Sequence, residues 1–299
     1  MFRGIIILCL LMVLFSCAKN KVIDTSPSSL SFGTDETLDI ITWNIQNFPK
    51  QNDITIDYLA ELIDSMNVDI IAMQEIGSEI DFNKLVNKLD GWEGHRANSA
   101  YYNIDLAYLY KSNTTINNLN EIEELDDYNL PRTPLLLEIL WEGENIYIIN
   151  NHFKALGDGI IDNIDNDEEY RRQQASILIK NYIDSNLDNE NVILLGDLND
   201  ELTDPDDANV FKSFIEDPEN YKFVDMNIAL GSLSNLSYPS YPSHIDHILI
   251  TNELFDEFEN PGSNIQTLHL ENYFDGGWND YENYISDHRP VGLSLNFNP

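Results

Sequence analysis

A chain of 299 residues with 42% hydrophobic side chains, 14 Gly and 11 Pro can bury a sizeable core. That excludes disorder, collagen and coiled coil, and the length allows one large domain or two small ones. Sixteen basic against 52 acidic side chains give a net charge of −36, which excludes a passive basic grip on a phosphate backbone and suits a site that recruits cations.

Arg3 precedes an apolar run over 5–15, about half the length that spans a bilayer, so residues 1–17 read as an export signal that is removed. Leu14-Phe15-Ser16-Cys17 resembles a bacterial lipoprotein signal, in which Cys17 carries lipid and anchors the chain at the cell envelope or surface. An ordinary secretory signal followed by a chance Cys is the other reading. Cys9 and Cys17 are the only cysteines, so no disulfide forms in the mature chain, and an exported protein must then rely on its core or on bound ions. Residues 18–37, with Ser26-Pro27-Ser28-Ser29, read as a flexible tether, and 38–299 as one domain without internal repeat.

Strand-length apolar runs follow at 38–43, 68–73, 106–110, 135–140, 146–149, 192–195, 245–250 and 291–295. Between them, 54–66 places Tyr58, Leu59, Leu62, Ile63 and Met66 on one face, and 169–184 places Ala175, Leu178, Ile179 and Ile183 likewise, which predicts two helices. The order mixes crossovers with direct strand successions and predicts an α/β or α+β layered sandwich of mixed sheets covered by helices.

Polar clusters sit at the ends of these strands: Trp43-Asn44, Gln74-Glu75, Asn150-Asn151-His152, Gly196-Asp197-Leu198-Asn199, His244-Ile245-Asp246-His247 and Ser286-Asp287-His288. A sheet gathers strand ends along one edge, so these carboxylates, amides and imidazoles can converge. In an extended chain Asp197 and Asn199 share one side while Leu198 points into the core. The same period places His244 with Asp246 and Ile245 with His247. Asp287-His288 precedes Pro290, where the chain is extended and the imidazole can project from the sheet edge.

The ordered set Trp43-Asn44-Ile45-Gln46, Gln74-Glu75, Asn151-His152, Gly196-Asp197-Leu198-Asn199, Ile245-Asp246-His247 and Ser286-Asp287-His288-Arg289-Pro290 resembles the endonuclease/exonuclease/phosphatase superfamily, which includes pancreatic-type DNase and neutral sphingomyelinase. The resemblance implies an α/β four-layer sandwich, two central sheets flanked by helices, and metal-dependent cleavage of phosphoesters. It makes Glu75 the principal ligand of Mg²⁺ or Mn²⁺, with Asn44 beside it and Asp287 completing the site. A single Glu suits an ion that keeps several waters. His288 would activate water and Asp246 would orient it; Asp197 and Asn199 would position the phosphoryl group; His152 would donate to a phosphate oxygen or the leaving group. Arg132 and Lys154 would meet substrate phosphate with Asn199, and Arg289 would add a further local contact. Arg132 pairing with a surface acid is the alternative.

Three features keep two readings each. Asp105 either pairs with His152, as an acid does in DNase-like members, or ends a turn. The six acids in 157–169 either hold a structural Ca²⁺ or form a solvated loop before a helix, where they oppose its dipole. Tyr273, Phe274, Trp278, Tyr281 and Tyr284 either wall the site for stacking or pack the core. Three functions remain open: an exported nuclease acting on DNA or RNA, a lipid head-group phosphodiesterase or phosphatase, and a non-catalytic binding lipoprotein. Asn151-His152-Phe153-Lys154 and Gly196-Asp197-Leu198-Asn199-Asp200-Glu201 favour the first, the lack of an apolar hairpin for entering a bilayer weighs against the second, and the retained ionisable set speaks against the third.

Overall fold

The computed structural model describes residues 30–100 and 104–298; the expected signal, Cys17 and residues 18–29 lie outside them. Apolar side chains on both faces of a strand require cover on both faces. β1 (Leu38–Phe48) shows how this is met, turning Leu38 and Ile40 toward a second sheet and Ile41, Trp43 and Ile45 toward helices.

The other strands are β2 (Ile70–Ile76), β3 (Trp92–Arg96), β4 (Asp105–Lys111), β5 (Thr115–Glu121), β6 (Leu135–Trp141) and β7 (Glu144–His152). They continue with β8 (Asn191–Asp197), β9 (Tyr221–Phe223), β10 (Asp246–Thr251), β11 (Asn264–Thr267) and β12 (Val291–Leu295). They form two six-stranded mixed sheets, ordered β11-β12-β1-β2-β4-β3 and β5-β6-β7-β8-β10-β9. Each holds one parallel pair, β1 with β2 and β7 with β8. The sheets pack face to face through Ile40, Ile70, Leu106 and Leu293 on one side and Leu137, Ile148, Ile193 and Ile248 on the other.

Helices cover the outer faces. α1 (Asp53–Met66) buries Leu59, Leu62, Ile63 and Met66, and α2 (Glu79–Lys88) buries Phe82 and Leu85. On the second sheet α3 (Glu168–Asn186) buries Ala175, Ile179 and Ile183 against Ile149, Val192 and Leu194. Asp167 caps it by accepting from Tyr170 N–H at 2.7 Å, which satisfies one of the free donors of the first turn. Short helices α4 (Lys212–Ile215), α5 (Met226–Ala229), α6 (Phe255–Glu259) and α7 (Trp278–Tyr284) complete the shell.

This is the expected four-layer sandwich. The domain starts earlier than residue 38, because Leu30 is buried in the core and Phe32 and Gly33 donate their N–H groups to the Met66 carbonyl at 3.0 and 3.1 Å. Residues 30–37 are thereby bound to the end of α1 instead of running free. Strands β3, β5, β9 and β11 have no counterpart among the apolar runs. β5 shows why: it is an edge strand with no fully buried residue, so polar side chains serve it.

The edge opposite the polar tips holds a pair of acids, Asp39 buried and Asp69 half-buried. Asp69 accepts the N–H of Asp39 at 2.9 Å, and burial pushes its carboxyl up to about 6 despite the nearby Lys111. A folded-state pKa above the unfolded one gives stability that is full below the unfolded value and is lost as pH rises through the folded one. Relative to Asp69→Asn, the wild-type chain should therefore lose about 2 kcal/mol between pH 4 and pH 7. Urea unfolding of both proteins across that range measures the difference, and a flat difference would contradict this origin of the slope.

Candidate active site

The tips converge because of register. In β1 and β2 Asn44 pairs with Gln74, which puts Glu75 one residue beyond. In β7, β8 and β10 His152 pairs with Asp197 and Asp197 with Asp246. The facing sheets then bring the two groups together, and Asn44 Nδ2 donates to Asp197 Oδ2 at 2.8 Å and to Glu75 Oε1 at 3.3 Å. Beneath them Gln74 Nε2 donates to Asn150 Oδ1 at 2.8 Å, while Asn150 Nδ2 donates to the carbonyls of Met73 and Ala107, both at 3.1 Å. This fully buried amide bridge ties one sheet to the other directly under the site.

Sharp backbone turns aim the side chains. Glu75 has φ 64°, a left-handed conformation that costs such a residue on the order of 1 kcal/mol, and Asn199 has φ 56°, which Asn adopts more readily. Gly196 has φ 145°, and a Cβ there would lie 2.0 Å from the Asn151 carbonyl oxygen, so only glycine lets β8 approach β7. Asn199 therefore does not continue an extended strand beside Asp197. It turns back, donating its N–H to Asp197 Oδ1 at 3.1 Å and its amide to the Phe153 carbonyl at 3.3 Å.

His288 is held from several directions. Its Nδ1 faces Asp246 Oδ2 at 2.8 Å, leaving Nε2 directed toward Asp197 Oδ2 and Asp287 Oδ1, both 3.9 Å away. Tyr281 OH donates to its carbonyl at 2.6 Å and accepts from Trp43 Nε1 at 3.1 Å. Ser286 Oγ accepts its N–H at 3.0 Å and donates to the Asn44 carbonyl at 2.6 Å. Tyr238 stacks on the imidazole with ring centroids 4.7 Å apart. Burial would strip the proton, but Asp246 and Asp197 outweigh it and push the ring up to about 10. Burial pushes Asp197 itself up to about 7, against the pull of His288.

His152 Nε2 lies 3.3 Å from Asp197 Oδ2 and 4.0 Å from Glu75 Oε1. Burial, aided by the charges of Arg132 and His288, holds it well below the ordinary histidine value, so it is neutral. Its buried Nδ1 has no hydrogen-bond partner among the described residues. Asp105 does not serve it: that carboxylate accepts Ala100 N–H at 2.8 Å and pairs with Arg96 at 2.6 Å, closing the turn into β4. Arg132 donates to the Ile104 carbonyl at 3.1 Å and lies within the fields of Glu75 and Asp197, at the cluster.

Other expected contacts lie elsewhere. Lys154 pairs with Glu168 at 3.3 Å and donates to the Ala155 carbonyl at 2.7 Å. Arg289 pairs with Glu271 at 2.6 Å and donates to the carbonyls of Ser234 and Leu236 at 2.8 and 3.1 Å, so it fastens a loop. The aromatic segment packs the core: Phe274, Tyr281 and Ile285 are buried around Trp43, with Tyr273, Trp278 and Tyr284 against them. In the acidic loop Glu169 Oε1 accepts Gly159 N–H at 2.6 Å and faces Arg172 at 3.3 Å. Asp167, Glu168 and Glu169 thus each meet a protein donor.

Gln46 and Tyr238 were not singled out by the sequence for roles. Gln46 Nε2 donates to Asp287 Oδ2 at 2.7 Å, and Lys50 donates to Gln46 Oε1. Gln46 had a signal in its place in the Trp43-Asn44-Ile45-Gln46 motif; Tyr238 had none. The Glu75 and Asp287 carboxylates fit a hard divalent cation, and Asp287 Oδ1 is buried without a hydrogen-bond partner among the described residues; Asn44, expected as a ligand, instead turns its NH2 to Glu75 because its Oδ1 accepts Gln46 N–H at 2.9 Å.

One carboxylate-held imidazole and a second, neutral one facing oxygen ligands fit a phosphoric ester hydrolase site. The chain belongs to the endonuclease/exonuclease/phosphatase family, whose profile matches residues 41–288 and whose enzymes depend on divalent metals. The fold is similar to D. rerio TDP2 complexed with a single-strand DNA product, at 15% identity and TM-score 0.64, covering 88% of this chain and 100% of that one. It is similar to the human Nocturnin catalytic domain with bound sulfate at 19% and 0.62, covering 88% and 95%. An AP endonuclease from Archaeoglobus fulgidus follows at 17% and 0.57, covering 86% and 99%. No curated protein matches the sequence.

Proposed function

We propose that the protein is an exported, Mg²⁺-dependent phosphodiesterase that hydrolyses nucleic acid. The observation that carries this reading is His288, fixed by Asp246 at Nδ1 and open at Nε2 toward Asp197 and Asp287. The neighbouring carboxylates keep His288 charged until the cation that Glu75 and Asp287 would hold offsets them; the neutral ring's Nε2 then takes a proton from water, and Asp246 balances the charge it regains. Asp197 and Asn199 position the phosphoryl group, His152 donates from Nε2 to a phosphate oxygen or the leaving oxygen, and Arg132 meets the phosphate charge. Lys154 lacks such a role where its ammonium is held by Glu168. Glu75 and Asp287 would hold the cation, which supplies charge neutralisation on the phosphoryl oxygens when bound, and Asn44 steadies Glu75 by donating to it. The DNA in the TDP2 complex and the AP endonuclease support nucleic acid as the substrate. Export rests on the apolar run at 5–15, and anchoring on Cys17.

Exposed Leu156, Ile160 and Ile164 follow His152, and exposed Leu230, Leu233 and Tyr241 precede Asp246. These favour lipid head groups as the second reading, because exposed apolar side chains on the loops that lead from and to site residues can enter a bilayer surface. Plasmid DNA, single-stranded DNA, RNA and sphingomyelin vesicles, each with Mg²⁺, Mn²⁺, Ca²⁺ or EDTA, separate the two. Polynucleotide cleavage is expected; sphingomyelin cleavage alone would replace the first reading with the second.

Tyr238→Ala should lower kcat about tenfold, the scale of one aromatic pair, while Tyr238→Phe stays near wild type. Steady-state kinetics on methyl p-nitrophenyl phosphate measure both, and an unchanged Tyr238→Ala would remove the ring from the account.

A further inference from the structure

Behind the site lies a second His–Asp cluster of different construction. Asp225, between β9 and α5, is fully buried, and its Oδ2 receives His247 Nδ1 at 2.6 Å and His244 Nε2 at 3.0 Å, while Oδ1 accepts Ile248 N–H at 3.1 Å. His244 was expected beside Asp246. It lies with His247 instead, because β10 begins only at Asp246 and the alternation does not extend back across Ile245.

The hydrogen bonds fix the protons. Ser237 N–H points at His244 Nδ1 at 3.3 Å, so that nitrogen is the acceptor and Nε2 carries the hydrogen given to Asp225. His247 meets acceptors at both nitrogens, the Asp225 carboxylate at Nδ1 and the Asp200 carbonyl at Nε2, 2.8 Å away. A neutral imidazole has one N–H, and only the cation satisfies both. Phe211 and Phe223 stand nearly perpendicular to the ring, with centroids 5.5 and 5.9 Å away. Burial opposes the charge, but the Asp225 carboxylate and the two hydrogen bonds raise His247 above the ordinary histidine value. The three side chains converge as metal ligands do. The N–H of Ser237 argues against an ion, since a metal at His244 Nε2 would require a hydrogen on Nδ1, facing that donor.

Asp200 is where this cluster reaches the chemistry. It follows Asn199, its carbonyl receives His247, and its carboxylate receives Arg172 Nε at 2.7 Å. A chain poor in cations thus buries two of them on the residue next to the left-handed turn at Asn199. We propose that His247 is a buried imidazolium which, with Asp225, acts as a positioning residue for Asn199 in phosphodiester hydrolysis. This rests on the phosphodiesterase reading.

Two measurements on the full chain test it. In ¹⁵N-histidine NMR at about pH 8, where a free imidazole is neutral, His247 shows hydrogen on both nitrogens and His244 on Nε2 alone. One bare nitrogen on His247, or a stoichiometric bound metal, overturns the proposal. In kinetics on methyl p-nitrophenyl phosphate with Mg²⁺, His247→Phe removes both donors and His247→Gln keeps one for the Asp200 carbonyl. Folded His247→Phe should lose about tenfold or more in kcat with KM within about twofold, and His247→Gln should recover most of it. A purely structural role would lower thermal stability in both and leave kcat unchanged, which overturns the positioning role. If His247→Phe does not fold, His247→Gln and the wild-type spectrum decide: a loss in His247→Gln as large as in Asn199→Ala also overturns it. A wild-type chain inactive on every phosphodiester would sink the phosphodiesterase reading itself, whatever the spectrum shows.

Discussion

His288→Ala is expected to lower kcat/KM for a simple phosphodiester by about three orders of magnitude, within the range of a positioned general base. Its Nε2 faces both Asp197 and Asp287 while its Nδ1 is committed to Asp246. Removing it also leaves a fully buried Asp246 without its cation, so the variant should unfold at a lower temperature. Near-UV circular dichroism separates the two effects by giving the folded fraction at the assay temperature. His288→Ala that is folded and retains more than about a tenth of wild-type activity would remove His288 as the base.

Glu75→Gln should cost about 10² to 10³-fold at saturating Mg²⁺, the scale of losing a metal's charge stabilisation. The amide keeps an oxygen for Asn47 N–H, which Glu75 Oε2 accepts at 2.8 Å, so the turn at φ 64° can persist. What disappears is the charge. Any rise in melting temperature that Mg²⁺ gives the wild-type chain should vanish in this variant, since a ligand stabilises only through its affinity for the folded state. A retained Mg²⁺-dependent shift would move the cation to other ligands.

The convergence of Asn44, Glu75, His152, Asp197, Asp246 and His288 was legible because each directly ends or begins an apolar strand, and strand ends share an edge. The paired central strands were legible for the same reason. Charged side chains were misread where local acids compete with substrate: in a chain of net charge −36 a cation such as Lys154 or Arg289 meets a carboxylate close by. His244 was misplaced because alternation holds only inside a strand, and where β10 begins depends on Ser237, whose hydroxyl accepts the N–H groups of Ile245 and Asp246 at 3.2 Å each. Tyr281 looked like a possible wall because its hydroxyl's partners, Trp43 and the His288 carbonyl, come from distant strands and a tight turn. Tyr238 reaches His288 only through a loop that Arg289 and Ser237 fasten, and no periodicity encodes such a contact.

On the proposed reading, six strand tips form one metal-dependent phosphodiester-cleaving site. Hydrolysis of methyl p-nitrophenyl phosphate by the wild-type chain, followed with Mg²⁺ and then with excess EDTA, tests it most directly. Turnover with the cation that stops on chelation and returns when Mg²⁺ is restored is the predicted result. Equal turnover in EDTA, or none with Mg²⁺, Mn²⁺ or Ca²⁺, would contradict it.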